Sequence, residues 1–413
     1  MKRLASQLMH VALYSPAWPP EEFPNGIVTY VHWMRQELLS RGHRVSVLAG
    51  VTAGTGEWPG IYTIGTTLRT RAWQWTRRKL GLDKNAMFSW APRLTEQVAR
   101  VHRRCPIDVF EMEESFGWVA ALISYRKFPV VVKLHGPAFL SLIEEQLQGE
   151  PAQKKIAAEG FALQSARVIT SPSRCTLSET LTRYELQPRI KSHVVNPLAL
   201  DPRVKLWSVS SSNRTTLLFV GRFDKRKGGD RVLLAFKKIL KIRPELRLIF
   251  VGPDTGLTSV SGELIHFEAF AESIFAPFER QRVTYLRSQS QEAISTLRSE
   301  AAVTIVASRW ESQGYTALEA MLQGCPVVCA DTSGLGESVA HGRTGLLYQG
   351  NDLDGMVDQI LYMLDHPDLA AQLGRAARAY VLATHGASHV VDQTMDVYQS
   401  AIKDFAEQRG NRA

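Results

Sequence analysis

Cysteine is scarce in this chain: Cys105, Cys175, Cys325 and Cys329 are the only four in 413 residues. They are too few and too scattered for a disulfide framework. Cys325 and Cys329 stand four apart, but no His or second Cys pair sits near them with zinc-site spacing, so buried free thiols are expected. Long apolar runs are missing too. None approaches the roughly 18–20 residues that a membrane-spanning helix requires. The stretch after Met1-Lys2-Arg3 is too short and polar for a signal peptide, and a cytoplasmic location is expected. The two commonest glycine-rich phosphate motifs, Gly-x-Gly-x-x-Gly and the Walker A loop, are also absent. Acid is missing locally, with no Asp or Glu between Glu57 and Asp83.

What is present is ordinary for a globular protein able to build sizeable cores: 45% hydrophobic and 22% charged residues. At about 150 residues per domain, the length implies two or three domains. The net charge of +9 is concentrated. Arg69, Arg71, Arg77, Arg78 and Lys79 form one cluster, with Trp73 and Trp75 among them; Arg222, Lys225, Arg226, Lys227 and Arg231 form another. The first cluster, Arg69–Lys79, has the composition of a contact with anionic membrane, of an acceptor-side loop, or of an exposed helical connection whose tryptophans pack on the domain. A nucleic-acid role is the weaker reading.

Short apolar runs alternate with amphipathic stretches, the pattern of βα units and a parallel sheet. His10–Ser15, Arg44–Ala49, Ile107–Phe110, Val130–Leu134 and Ala166–Thr170 read as strands of a first half. Gly26–Arg41, apolar at Ile27, Val31, Met34 and Leu38, reads as a helix that stops at Gly42. The turn-rich stretch from Asn196 to Asn213 reads as a linker. A second series follows, with strands at Thr216–Val220, Leu246–Val251, Val283–Leu286, Val303–Ala307 and Pro326–Ala330. Helices are expected at about 229–242, 290–299, 315–323 and 353–364. The fold class is α/β, and such open sheets bind ligands beyond the carboxyl ends of their strands.

Two segments carry chemistry. In Trp310-Glu311-Ser312-Gln313-Gly314-Tyr315-Thr316-Ala317-Leu318-Glu319, a strand runs into a helix starting near Gly314. The unpaired N–H groups of its first turn suit phosphate oxygens. Gly314 lets an anion approach the backbone, and Ser312 is a candidate cap. In Val220-Gly221-Arg222-Phe223-Asp224-Lys225-Arg226-Lys227-Gly228, a strand ends in a basic loop, with Arg222 a planar fork and Lys227 a point charge for phosphate. After the first segment come Gly324-Cys325-Pro326-Val327-Val328 and a glycine loop, Ser333-Gly334-Leu335-Gly336-Glu337. Asp352-Leu353-Asp354 imitates a metal-binding Asp-x-Asp, but an N-cap and first-turn acid account for it. Glu111, Glu113 and Glu114 are read as loop acids or as contacts to acceptor hydroxyls.

In this order and at these distances, the segments resemble the retaining glycosyltransferases of family 4. The resemblance is tight over about 214–350 and loose in the N-terminal half. It implies the GT-B fold, two Rossmann-like parallel-sheet domains facing a central cleft. An acceptor-side domain would cover 1–200, a linker 201–213 and a donor domain 214–389, with a C-terminal helix of about 390–413 packing back on the first domain. The resemblance implies that Arg222 and Lys227 clamp the donor diphosphate, Glu311 contacts the transferred sugar and Glu319 holds the ribose. Gly314, Tyr315 and Thr316 would complete the phosphate cradle, and Tyr285 would stand near the base. In the first half it carries over Gly26, from the loop after the first strand, and His135, which would position the donor sugar without acting as a displacement base. The substrate implied is a nucleotide-diphosphate sugar, with no cofactor and no metal. The acceptor would be a glycan, a lipid-linked or a small-molecule hydroxyl. Alternatives are a GT-B sugar-nucleotide epimerase and a non-catalytic nucleotide-sugar or nucleic-acid binding module.

Overall fold

The computed structural model describes residues 8–23, 25–53, 58–65, 87–140, 149–196, 204–210, 213–259 and 262–410. The chain divides into two compact units, one of 1–138, 149–198 and 387–413, the other of 139–148 and 199–386. The basic segment Arg69–Lys79 lies outside the described residues. So do parts of the turn-rich connection, whose Trp207 packs on the second unit and donates its ring N–H to the Ala301 carbonyl at 2.7 Å.

In the first unit, seven parallel strands are β1 (His10–Trp18), β2 (Arg44–Thr52), β3 (Ile61–Thr63), β4 (Val109–Glu113), β5 (Val130–Lys133), β6 (Val168–Ser171) and β7 (Lys191–Val194). Their order is β3-β2-β1-β4-β5-β6-β7. Strands covered on both faces must be apolar without alternation, and β1 is buried without a break from His10 to Ser15. The helix Gly26–Ser40 begins where Asn25 Oδ1 accepts the Ile27 N–H at 2.8 Å. It packs on the sheet with Val390, Met395 and Tyr398 of the helix Ala387–Gly410.

The second unit holds β8 (Asn213–Val220), β9 (Arg247–Val251), a small hairpin of β10 (Leu257–Thr258) and β11 (Leu264–Ile265), then β12 (Val283–Leu286), β13 (Ala301–Val306), β14 (Val327–Asp331) and β15 (Leu346–Gln349). The six-stranded parallel sheet runs β12-β9-β8-β13-β14-β15. Phe219, Phe223, Phe236, Phe250 and Phe267 fill its core, each 2% exposed or less. Each such ring contributes about 1.5–3 kcal/mol of burial. Helices at Gly229–Leu240, Gln291–Glu300, Tyr315–Leu322 and Leu353–Asp365 match the spacing read from the sequence.

Both sheets reverse direction once, between β1 and β4 in the first unit and between β8 and β13 in the second. At such a switch point two loops leave in opposite directions and open a crevice.

Three sequence expectations are corrected. The stretch expected as a glycine loop is a short helix, Ser333–Ser338. Glu111 and Glu113 belong to β4, with Glu114 directly after it, and all three are buried rather than loop acids; the strand extends three residues past its expected end. Cys105 and Cys175 are only half-buried, while Cys325 and Cys329 are fully buried free thiols.

Candidate active site

The switch point of the second unit brings together the residues singled out by charge. The loop after β8 carries Arg222 to Lys227, and the loop after the neighbouring β13 carries Ser308 to Glu311. Lys227 Nζ donates to Glu311 Oε1, and Arg226 lies 3.6 Å from Oε2. Ser308 Oγ donates to Oε1 at 2.8 Å. Burial would raise the Glu311 pKa, but the charges of Lys227 and Arg226 and the hydrogen bonds from Lys227 and Ser308 outweigh it and hold the carboxyl ionised. The site is therefore a buried carboxylate wrapped by two cations, whose side chains keep some contact with solvent, 20% exposed for Lys227 and 16% for Arg226.

Three backbone features hold that geometry. Gly228 has φ +74°, and a Cβ there would collide with the Ala307 carbonyl, so the β8 loop lies directly on the end of β13. Arg309 forks onto Asp230 at 2.8 and 2.6 Å, and its backbone N–H donates to the Arg226 carbonyl at 2.8 Å. Ser333, at φ +44°, receives the Glu311 N–H on its Oγ at 2.8 Å. A non-glycine residue costs on the order of 1–3 kcal/mol in that region, and here it braces the catalytic candidate. Arg222 lies against Asp224 at 2.8 Å in the same loop, its side chain partly exposed.

Gly314, φ +82°, is the N-cap residue of the helix Tyr315–Leu322, the position the sequence had offered to Ser312. A side chain at Gly314 would press on Leu335. Tyr315 and Thr316 form the first turn. One turn later Glu319 bonds to Arg298, which is only 2% exposed. Sequence reading missed Arg298. Its signal was an arginine on the inward side of the helix Gln291–Glu300, where burial of a cation demands a partner. Tyr285 lies on β12, the edge strand two places from β8. Its ring stacks on Phe267 at 4.0 Å, and its hydroxyl donates to the Gly252 carbonyl at 3.1 Å. Asp352 caps its helix through a 2.9 Å bond to the Gly355 N–H, as its position after a turn implied. Among the described residues no group of three or more His, Cys, Asp or Glu could hold a metal ion.

Gly26 and His135 belong to the first unit, after the carboxyl ends of β1 and β5. Tyr30, one turn past Gly26, meets the His135 ring edge-to-face at 5.2 Å. Burial, with the Lys133 charge beside it, pushes the His135 pKa down to about 3, so the imidazole is neutral at physiological pH. Its backbone N–H and that of Gly136 donate to Glu114 at 3.0 and 2.8 Å.

The model for glycosyl transferases group 1 matches residues 207–380, and a glycosyl transferase 4-like domain matches 25–197. The chain belongs to the family-4 glycosyltransferases. A D-inositol 3-phosphate glycosyltransferase of Streptomyces scabiei is 30% identical over 71% of this chain and 67% of its own. Its counterpart from Streptomyces avermitilis is 30% identical over 70% of this chain, and the match spans only 63% of that relative's length. Among solved structures, sucrose-phosphate synthase from Thermosynechococcus elongatus superposes with a TM-score of 0.73 at 20% identity, covering 96% of this chain and all of that one. The fold is therefore GT-B, and the two Rossmann-type sheets are its two halves. Among the described residues no helix is long and apolar enough to cross a membrane.

The buried acids of the first unit form a group of their own. Glu113 faces Glu114, Ser115, Glu159, Lys155 and Tyr14. Glu159, also beside Glu114, Lys155 and Tyr184, accepts the Ala138 N–H at 2.8 Å. Burial, reinforced by Glu114, raises Glu113 and Glu159 each to about 8. A carboxyl raised in the folded state binds an extra proton there. The stability it confers is complete below its unfolded value of about 4.5 and is lost as pH climbs to about 8. Stability, and with it the melting temperature, should therefore fall across pH 5–8, at a rate on the order of 1 kcal/mol per pH unit. Glu113→Gln should flatten the slope. An unchanged slope in that variant contradicts the assignment.

Proposed function

We propose that this chain moves a hexosyl unit from a nucleotide-diphosphate sugar to an acceptor hydroxyl, with retention of anomeric configuration. The observation that carries the reading is the Lys227–Glu311 pair, set across the switch point with Arg226 beside it and Arg222 in the same loop. In the reaction the bond from the anomeric carbon to the diphosphate oxygen breaks, and its electron pair leaves with the phosphate. Negative charge grows there while the sugar becomes oxocarbenium-like. Fixed cations and helix-end N–H groups stabilise such charge without having to reorganise. Lys227 has three N–H donors and spends one on Glu311, leaving others for a phosphate oxygen. Arg222 is sufficiently exposed to fork onto the same group, and Tyr315 and Thr316 begin the helix whose end faces it. Glu311 would take the sugar and Glu319, held by Arg298, the ribose. The acceptor oxygen attacks the face the phosphate is leaving, and its proton passes to that phosphate. Neutral His135 fits a positioning role. The names of the Streptomyces relatives support a small phosphorylated polyol among the three acceptor classes; glycan and lipid-linked acceptors keep their place.

A thermal-shift screen of nucleoside diphosphates and their sugar conjugates tests the donor. A ligand at 100 times its Kd stabilises the native state by about 2.7 kcal/mol, so one nucleotide series should stand out. If no nucleotide sugar raises the melting temperature, the donor assignment is wrong. The anomeric configuration of the product, read by proton NMR, tests retention.

A further inference from the structure

The first unit contains a second cavity, at the end of its sheet opposite His135. Its volume is about 700 Å³, within the roughly 300–1,000 Å³ range of small-molecule sites. Val130, Val168 and Lys191, the first residues of β5, β6 and β7, line it. His135 follows the far end of β5, and four residues of strand separate the two ends by about 13 Å. The helix Ala387–Gly410 closes one side with Phe405, and Phe128 adds a second apolar wall.

Around this apolar floor stand five cationic residues, Arg126, Arg167, Arg189, Lys191 and Arg409, against two acids, Asp404 and Glu407. Lys191 pairs with Asp404 at 2.6 Å. The four arginines have no carboxylate partner among the described residues. They come from four separate segments. Arg126, Arg167 and Arg409 adjoin helix ends whose carbonyls favour a cation. Arg189, in the turn before β7, adjoins no such end, and helix ends do not account for the convergence of all four on one hollow. Four guanidiniums around one hollow make its potential positive and favour an anion there. A guanidinium is also the side chain best shaped to fork onto phosphate.

We infer that this cavity binds a phosphate ester whose organic part is apolar, with the arginines on the phosphate and Phe128 and Phe405 on the remainder. It lies within one unit and uses none of the donor-site residues.

The test is calorimetric titration of the full chain with phenyl phosphate. Binding should persist in Lys227→Ala, whose donor site is damaged, and weaken at least tenfold in the Arg167→Glu/Arg189→Glu double variant. Both arginines are exposed, so that variant should melt like the parent. No binding to the parent chain, or binding that Lys227→Ala removes and the arginine variant keeps, overturns the inference. Flotation with phosphatidylglycerol vesicles, against phosphatidylcholine alone, separates the two sources of such an ester. Flotation lost in the arginine variant identifies a membrane phosphate, and calorimetric binding without flotation a soluble one.

Discussion

Lys227→Ala should lower the turnover of sugar transfer by about 10²–10³-fold, the usual effect of removing one fixed donor from a developing oxyanion. The substitution removes the cation expected on the leaving diphosphate. It also leaves Glu311, 7% exposed, with only Arg226 at 3.6 Å and Ser308 as partners. Two effects are thus mixed, and Glu311→Gln separates them. It keeps the shape of the side chain and the Ser308 contact but removes the charge that Lys227 balances. If Lys227 acts on phosphate, its alanine variant should lose affinity for the nucleoside diphosphate itself, while Glu311→Gln should lose turnover and retain that affinity. Initial rates with radiolabelled donor and nucleotide titration read the two quantities. Near-normal rates in Lys227→Ala, with an unchanged melting curve, would falsify the site assignment.

Arg298→Met should destabilise the second unit strongly. Arg298 is 2% exposed, and its carboxylate partner Glu319 is mostly buried. Removing one member of a buried pair costs about 3–5 kcal/mol, because the survivor keeps its desolvation without its partner. Glu319 retains some solvent access, so about 2–4 kcal/mol is expected. At about 2–4 °C per kcal/mol for a unit of this size, the melting temperature should fall by about 4–16 °C. Adding Glu319→Gln should return part of that loss, since both halves of the buried charge are then gone. A melting temperature within 1 °C of the parent in Arg298→Met, roughly the effect of a neutral surface change, would mean that the pair carries no weight. The single variant should also raise the Michaelis constant for donor, because Glu319 loses the group that orients it.

Much of this molecule could be read from local pattern. The strands of both sheets, the helix from Gly26 and the helix starting near residue 315 announce themselves through spacing, since burial repeats with the period of the element. The loops around Arg222–Lys227 and Glu311–Gly314 stood out for a similar reason, since glycine and clustered basic residues interrupt an otherwise periodic pattern. What escaped was of another kind. Arg298 is 21 residues from Glu319, and no periodicity announces a partner on a different helix. Glu113 and Glu114 read as loop acids because acids are usually exposed; only the path of β4 puts them inside. The arginines of the second cavity are scattered over nearly three hundred residues.

Alone, then, the sequence determined the alternation of strand and helix and the family, and marked two loops rich in glycine and basic residues. Tertiary structure decided which of those residues meet. Strand order sets β8 beside β13 and so places Lys227 on Glu311 across 84 positions of chain. It also buries carboxyls that composition would leave in water, and gathers four arginines at the end of the first sheet opposite His135. The physical reason is that side-chain period is a local property, set by the geometry of one element. Pairing, desolvation and charge balance depend on neighbours that only the sheet order supplies.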